Sequence, residues 1–91
     1  MNFEFDPPKS ASNKLKHGID FEEAQDLWSI PGLVLSSDRL GELRFVRIAP
    51  TSERIFWTFA YTMRDQSIRI ISVRRSRKEE PEAYEREIER G

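Results

Sequence analysis

The stretch YTMRDQSIRIISVRR, residues 61–75, predicts the centre of the fold: the end of one strand, a tight turn and a second strand. The first strand begins near Ile55 and is the most apolar run in the chain. The second strand begins apolar, and four cations lie between residues 74 and 78. Guanidinium groups at the edge of a core hairpin can hold a phosphate backbone, because each meets two phosphate oxygens at once. The alternative is that these arginines only solubilise the rim of a small sheet.

The composition predicts one domain over residues 1–91. The chain is 37 % apolar and 34 % charged, which suits a small folded domain with a modest core. It contains no cysteine and His17 is its single histidine, so we expect no disulfide, no metal and no cofactor. We find no signal-peptide pattern and no membrane-length apolar run, and we expect a cytoplasmic protein without membrane contact.

The charge is polarised along the chain. The net charge of -1 combines a central segment, residues 53–78, at +5 with an acidic C-terminal segment, residues 79–91, at -4. A local positive patch attracts an anionic ligand whatever the net charge of the whole chain is. The chain is not basic overall and shows no basic recognition helix, so DNA binding by this chain alone is disfavoured.

Helix signals occur at three places. Asp6-Pro7 predicts a helix start, and Gly18 predicts the end of that helix. Asp20 with Glu23 predicts a capping box, and Ser76 with Glu79 predicts another. Ala11 and Leu15 are expected on the buried face of the first helix. The predicted order is strand 3–5, helix 7–17, helix 21–28, strands 33–37, 42–49, 54–62 and 67–75, and helix 78–90, with residues 38–41 as a loop.

This order, β-α-α-β-β-β-β-α, predicts the α+β class. The last four strands are joined by short links, which favour a meandering antiparallel sheet. We therefore expect one antiparallel sheet packed by two N-terminal helices and one C-terminal helix.

The chain resembles the BrnT toxins over almost its whole length. The resemblance rests on residues 3–24, which include the block KHGIDFEEA (16–24), and on RIIS (69–72) followed by Arg74. Further matching positions are Glu42, Arg44, Arg54, Arg64, Glu80 and Tyr84. Pro81 departs from the family pattern, which usually has a basic residue there.

The resemblance implies a RelE-like fold and an RNA-cleaving activity that inhibits translation. It also implies a BrnA-type antitoxin as partner, with operator DNA bound only through the complex. Whether the chain forms a homodimer or a heterotetramer is left open. A second hypothesis, suggested by Pro81, is a non-catalytic binding module that acts with the antitoxin in operon autorepression.

Metal-independent RNA cleavage needs a base for the 2′-hydroxyl, an acid for the leaving oxygen and cations for the phosphate. Arg64 and Arg74 are our candidate phosphate clamps; the alternatives are a solvated turn residue and a salt bridge to the last helix. Arg75 is a candidate RNA contact on the opposite strand face to Arg74, and Arg69 is expected to share the face of Arg75 in a structural role.

Acid–base candidates are fewer. Glu42 can act as a base held ionised beside Arg44, or the two can form a weak surface pair. His17 can act as acid or base, or can cap its helix end together with Lys16. Arg44, Lys16 and Tyr61 are candidate RNA contacts, Tyr61 by base stacking, although an aromatic ring on so apolar a strand can equally belong to the core.

Overall fold

A five-stranded sheet with helices on both faces forms the centre of the fold. The computed structural model describes residues 2–39 and 41–91, apart from the side chains of Ser37 and Arg39. The elements are β1 (Asn2–Glu4), α1 (Pro7–His17), α2 (Phe21–Gln25), β2 (Leu33–Arg39), β3 (Glu42–Pro50), β4 (Phe56–Arg64), β5 (Ser67–Arg75) and α3 (Glu79–Tyr84). The α+β class is therefore confirmed.

The strand order is β1-β5-β4-β3-β2, and the four strands β2 to β5 form the expected antiparallel meander. β1 departs from the prediction of a purely antiparallel sheet. It pairs in parallel with β5, with Asn2 opposite Ser67 and Glu4 opposite Arg69. β1 is followed by α1 and α2 and not by a short turn to the next strand. It pairs with the side of β5 that β4 leaves open.

α1 spans the predicted residues, but the prediction of its buried face was wrong. Ser10 and Asn13 are buried, whereas Leu15 is 90 % exposed. The Asn13 amide donates 2.8 Å hydrogen bonds to the carbonyls of Val73 and Ile19, and its oxygen accepts from the Val73 amide at 3.3 Å. α1 thus packs on the backbone edge of β5 beyond β1, where buried peptide groups require polar partners.

α2 begins with the predicted capping box. Asp20 accepts from the Glu23 amide at 2.8 Å, and the Glu23 carboxylate accepts from the Asp20 amide at 3.0 Å. The helix is shorter than predicted, since a 3₁₀ turn, Asp26–Ser29, replaces its last turn. Phe21 and Ala24 are fully buried against the sheet, and Trp28 meets Phe59 edge-on at 5.0 Å between ring centroids.

The end of the chain differs most from its prediction. Ser76 makes no cap for α3; its hydroxyl instead lies 2.7 Å from that of Thr58. α3 ends at Tyr84 and passes into a π-helical turn, Glu85–Glu89, so the predicted helix 78–90 is not continuous. At the other edge of the sheet, β2 continues to Arg39 and so includes the first two residues of the predicted loop 38–41, of which Leu40 lies outside the described residues.

Candidate RNA-binding face

A β-bulge decides which arginines share a face of the sheet. On β5, Ser72 lies opposite Ala60 and Ile70 lies opposite Tyr61, so Ile71 has no partner on β4. In a regular strand, two side chains five residues apart point to opposite faces. The extra residue shifts the alternation by one position, so that two such side chains on either side of Ile71 point to the same face. Side chains on either side of Ile71 therefore cannot be assigned to faces by counting along the sequence.

Arg69 and Arg74 share one face as a result. Arg69 lies opposite Thr62 and Arg74 lies opposite Thr58, and the two threonines are four residues apart on the same strand. Our prediction that Arg69 shares a face with Arg75 was wrong for this reason. Arg75 lies opposite Trp57 on the other face, with its guanidinium carbon 5.6 Å from the centroid of that ring.

Two further arginines join this face. Arg64 lies on β4 two residues beyond Thr62 and is exposed beside the turn to β5. Arg44 lies on β3 one residue beyond the Phe45–Tyr61 pair, which places it next to Thr62. We call this set, Arg44, Arg64, Arg69 and Arg74, the arginine face. α3 covers one end of the same side of the sheet, where it packs on β3.

Arg74 is held by the C-terminal helix. Its two terminal nitrogens donate to the two carboxylate oxygens of Glu80 at 2.8 and 2.9 Å. The same carboxylate accepts from the Thr58 hydroxyl at 3.0 Å and from the Arg77 amide at 2.7 Å. The salt bridge to the last helix that we considered for Arg74 is thus present. Both terminal nitrogens of the guanidinium are engaged by Glu80.

The pKa of Glu80 reflects this arrangement. Burial by itself raises the pKa, but the hydrogen bonds from Arg74, the Arg77 amide and Thr58 outweigh it and lower the pKa to about 2. The same carboxylate raises the pKa of Arg74. Both groups are therefore ionised at neutral pH. Sequence reasoning did not select Glu80 as a site residue, although its position near the start of the last helix was a usable signal.

The other arginines are less constrained. Arg69 lies 3.4 Å from the Glu4 carboxylate of β1, and Arg44 lies 3.7 Å from that of Glu42. Both pairs are partly exposed, and such pairs are worth about 0–1 kcal/mol each. A phosphate can exchange with such carboxylates at little cost.

Glu42 lies at the same end of the sheet as Arg64, where β3 begins and β4 ends. Lys16 and His17 lie instead beyond β5. With Lys9, Ser12, Asn13, Phe21, Ile71 and Ser72 they line a groove of about 210 Å³. β4 lies between β3 and β5, and two strand spacings amount to roughly 10 Å. The structure therefore brings Lys16 and His17 to one border of the arginine face and Glu42 to another.

Tyr61 does not fit the predicted stacking role. Its side chain is only 7 % exposed and lies in the core. The ring stacks on Phe45 at 5.4 Å and meets Trp28 edge-on at 4.9 Å. Burial raises the pKa of its phenol, with a smaller opposing effect of Arg47. Two other aromatic side chains contact the ring, because Tyr61 points toward the N-terminal helices.

Two features are absent from the part of the chain that the structure describes. Within residues 2–39 and 41–91, no group of three or more His, Cys, Asp or Glu side chains is placed to hold a metal ion. Across the same part of the chain, no helix has the length and apolar character needed to cross a membrane.

Comparison with known proteins identifies the family. The family model described as the ribonuclease toxin BrnT of type II toxin–antitoxin systems matches residues 5–80. The crystal structure of the Brucella abortus ribonuclease toxin BrnT is similar in fold, with a TM-score of 0.62 and 22 % identity over 86 % of this chain and 99 % of that one. No curated protein matches the sequence. The chain belongs to the BrnT family of ribonuclease toxins of type II toxin–antitoxin systems.

Proposed function

We propose that this chain is a RelE-like endoribonuclease that cleaves RNA without a metal ion, by attack of a 2′-hydroxyl on the neighbouring phosphate. The observation that carries the proposal is the arginine face. Three guanidinium groups on one side of the sheet, those of Arg44, Arg64 and Arg69, offer donors to successive phosphates and to the charge that develops during cleavage, while Glu80 holds the fork of Arg74.

Each residue then has a distinct role. Arg64 is exposed and its guanidinium binds the reacting phosphate, while Arg44 and Arg69 hold the flanking backbone. Glu42 lies at the same end of the sheet as Arg64 and takes the 2′-hydroxyl proton. The 2′-oxygen then forms a bond to phosphorus, the bond from phosphorus to the 5′-oxygen breaks, and the leaving 5′-oxygen takes a proton from water. Lys16 and His17, beyond β5, guide the RNA strand across the sheet edge.

The cellular consequence we propose is inhibition of translation through cleavage of cytoplasmic RNA. A BrnA-type antitoxin neutralises the activity, and contact with operator DNA runs through the complex. Arg64→Ala should relieve growth arrest after induced expression, since a lost phosphate donor costs about 100-fold or more in rate. Arg86→Ala, an exposed arginine of the C-terminal turn, is the matched control and should stay toxic. Equal arrest by both variants would contradict the proposal.

The Arg74–Glu80 fork favours a second candidate function. If Glu80 keeps Arg74 from RNA, this chain is a non-catalytic module that acts with the antitoxin in operon autorepression. This candidate predicts a wild-type protein that binds antitoxin, causes no growth arrest and leaves RNA intact. Growth arrest caused by Glu80→Gln but not by wild type would show that the fork is the obstacle to activity.

A further inference from the structure

β2 is an edge strand whose first four residues have no protection. It forms one border of the sheet, and within the described residues no strand pairs with its outer side. It is seven residues long, contains no proline and pairs with β3 without a bulge, from Leu33 opposite Ile48 to Arg39 opposite Glu42. Natural proteins usually blunt such an edge with lysine, proline, a bulge or a covering segment. The first four residues of β2 carry none of these.

Apolar side chains accompany this free edge on both sides of the sheet. Val34 is 44 % exposed on the side of the N-terminal helices, and Leu35 is 48 % exposed on the side of α3. Leu43 of the neighbouring strand is 52 % exposed. Open backbone groups flanked by exposed apolar side chains are the features by which a sheet edge accepts another strand.

A groove runs beside this edge on the side of α3. It has a volume of about 440 Å³ and is lined by Leu35, Ser36, Val46, Ile48, Glu79, Glu80 and Ala83. The Glu80 carboxylate is bound to Arg74. Glu79 forms no ion pair with any other described residue. The groove thus combines an apolar floor with one carboxylate, that of Glu79, which forms no ion pair within the described residues.

Charge decides which partner fits. The segment 79–91 carries a net charge of -4. A second copy paired through β2 would place the Glu79 of each chain on the same side near the two-fold axis, since Glu79 borders the groove next to Ser36 at the middle of the strand. Like charges in that position oppose the pairing. An extended segment with a lysine or arginine facing α3 gains an opposite charge instead.

We propose that an extended segment of the antitoxin adds to the outer edge of β2 as a sixth strand of the sheet. An apolar side chain of that segment packs beside Leu35 in the groove, and a basic side chain faces Glu79. The inference rests on the toxin–antitoxin assignment and is independent of whether the arginine face cleaves RNA.

The test measures the affinity of the purified antitoxin of the same operon by calorimetry. Leu35→Lys places a charge in the apolar groove, and Glu79→Lys reverses the charge on its wall. Each should weaken binding at least about tenfold, the equivalent of one lost buried contact or ion pair. Hydrogen exchange of wild-type protein should slow over residues 33–39 when the antitoxin binds.

The controls are matched in residue type and charge. Leu15→Lys alters an exposed leucine on α1, and Glu87→Lys makes the same charge reversal beyond α3; both should bind the antitoxin like wild type. Full binding by Leu35→Lys and Glu79→Lys, or unchanged exchange over residues 33–39, would overturn the proposal. So would a wild-type dimer without antitoxin that Leu35→Lys dissociates, since a second copy would then occupy the edge.

RNA cleavage is read separately. Leu35→Lys should retain the cleavage rate of wild type and escape neutralisation by the antitoxin. An inactive wild-type protein would contradict the proposed ribonuclease activity, whereas the binding and exchange results would still decide where the antitoxin lies.

Discussion

Arg69 and Arg74 lie five residues apart on β5 and yet occupy the same face of the sheet, because Ile71 between them has no partner on β4. In a regular strand, side chains five residues apart point to opposite faces. The bulge therefore adds Arg69 to the face that carries Arg44, Arg64 and Arg74. This one irregular residue enlarges the cationic surface to which we assign RNA binding.

The first prediction separates the two faces of β5. Arg69→Ala should weaken the binding of single-stranded RNA and reduce the slope of log affinity against log salt by about 0.7, the value for one lost phosphate contact. Arg75→Ala should leave that slope unchanged, because its side chain lies over Trp57 on the opposite face. Fluorescence anisotropy titrations at several salt concentrations measure both. A reduced slope for Arg75→Ala alone would contradict the face assignment.

The second prediction concerns acid stability. The pKa of Glu80 is lowered to about 2 from an ordinary value of 4.5, so its ion pair stabilises the fold fully above about pH 4.5 and loses this effect as the pH falls toward 2. Glu80→Gln should lower the free energy of unfolding at pH 7 by on the order of 2 kcal/mol. Its unfolding free energy should also fall less steeply between pH 4.5 and 2.

Urea unfolding of both proteins across this range makes the measurement. Glu87→Gln is the control, since the Glu87 carboxylate is exposed and, among the described residues, pairs only with Arg86, at 3.5 Å. Parallel pH profiles for wild type and Glu80→Gln would show that the fork contributes nothing to stability.

The third prediction tests the edge of β5. Asn13→Ala removes three hydrogen bonds to buried backbone groups and should destabilise the fold by about 3 kcal/mol. Ser12→Ala, on the exposed side of the same helix, should stay within about 0.5 kcal/mol of wild type. Thermal and chemical unfolding measure both variants. A neutral Asn13→Ala would mean that water replaces the amide.

The fourth prediction tests the orientation of α1. Leu15→Ser should change stability by less than about 0.5 kcal/mol because the side chain is 90 % exposed. Phe21→Ala should cost about 3–5 kcal/mol because that ring is fully buried. A large loss for Leu15→Ser in the isolated chain would contradict the observed orientation.

Local signals predicted the starts of α1 and α2. Asp20 and Glu23 form the expected capping box, and Gly18 ends α1 with a φ of 81° and donates to the Lys14 carbonyl. These features depend on neighbouring residues only. The boundaries of α1 and β5 were predicted for the same reason.

Features that depend on distant parts of the chain were missed. The apolar spacing predicted that Ala11 and Leu15 face the core. The surface under α1 is instead the edge of β5, whose buried backbone groups need a polar partner such as Asn13. The parallel pairing of β1 with β5 joins strands that are far apart in sequence. The bulge at Ile71 breaks the regular alternation of side chains on which the sequence pattern depends. The Ser76 hydroxyl forms a hydrogen bond with that of Thr58 on β4 and therefore does not cap α3.

The candidate site was predicted in part. Alternation along β3 placed Glu42 and Arg44 on one face, and their side chains lie 3.7 Å apart. The roles given to Arg64, Arg74, Lys16 and His17 stay predictions. A sequence shows which cations are present, but the pairing of Arg74 with Glu80 depends on where α3 meets the sheet.

The most direct test of the central claim is cleavage of single-stranded RNA by the purified chain in the presence of EDTA, with wild type, Arg64→Ala and Arg86→Ala compared at equal concentration. We predict cleavage by wild type and Arg86→Ala, with products that end in a 2′,3′-cyclic phosphate, and a rate about 100-fold lower for Arg64→Ala. Intact RNA with wild-type protein, or equal rates for Arg64→Ala and wild type, would contradict the claim that the arginine face is a ribonuclease site.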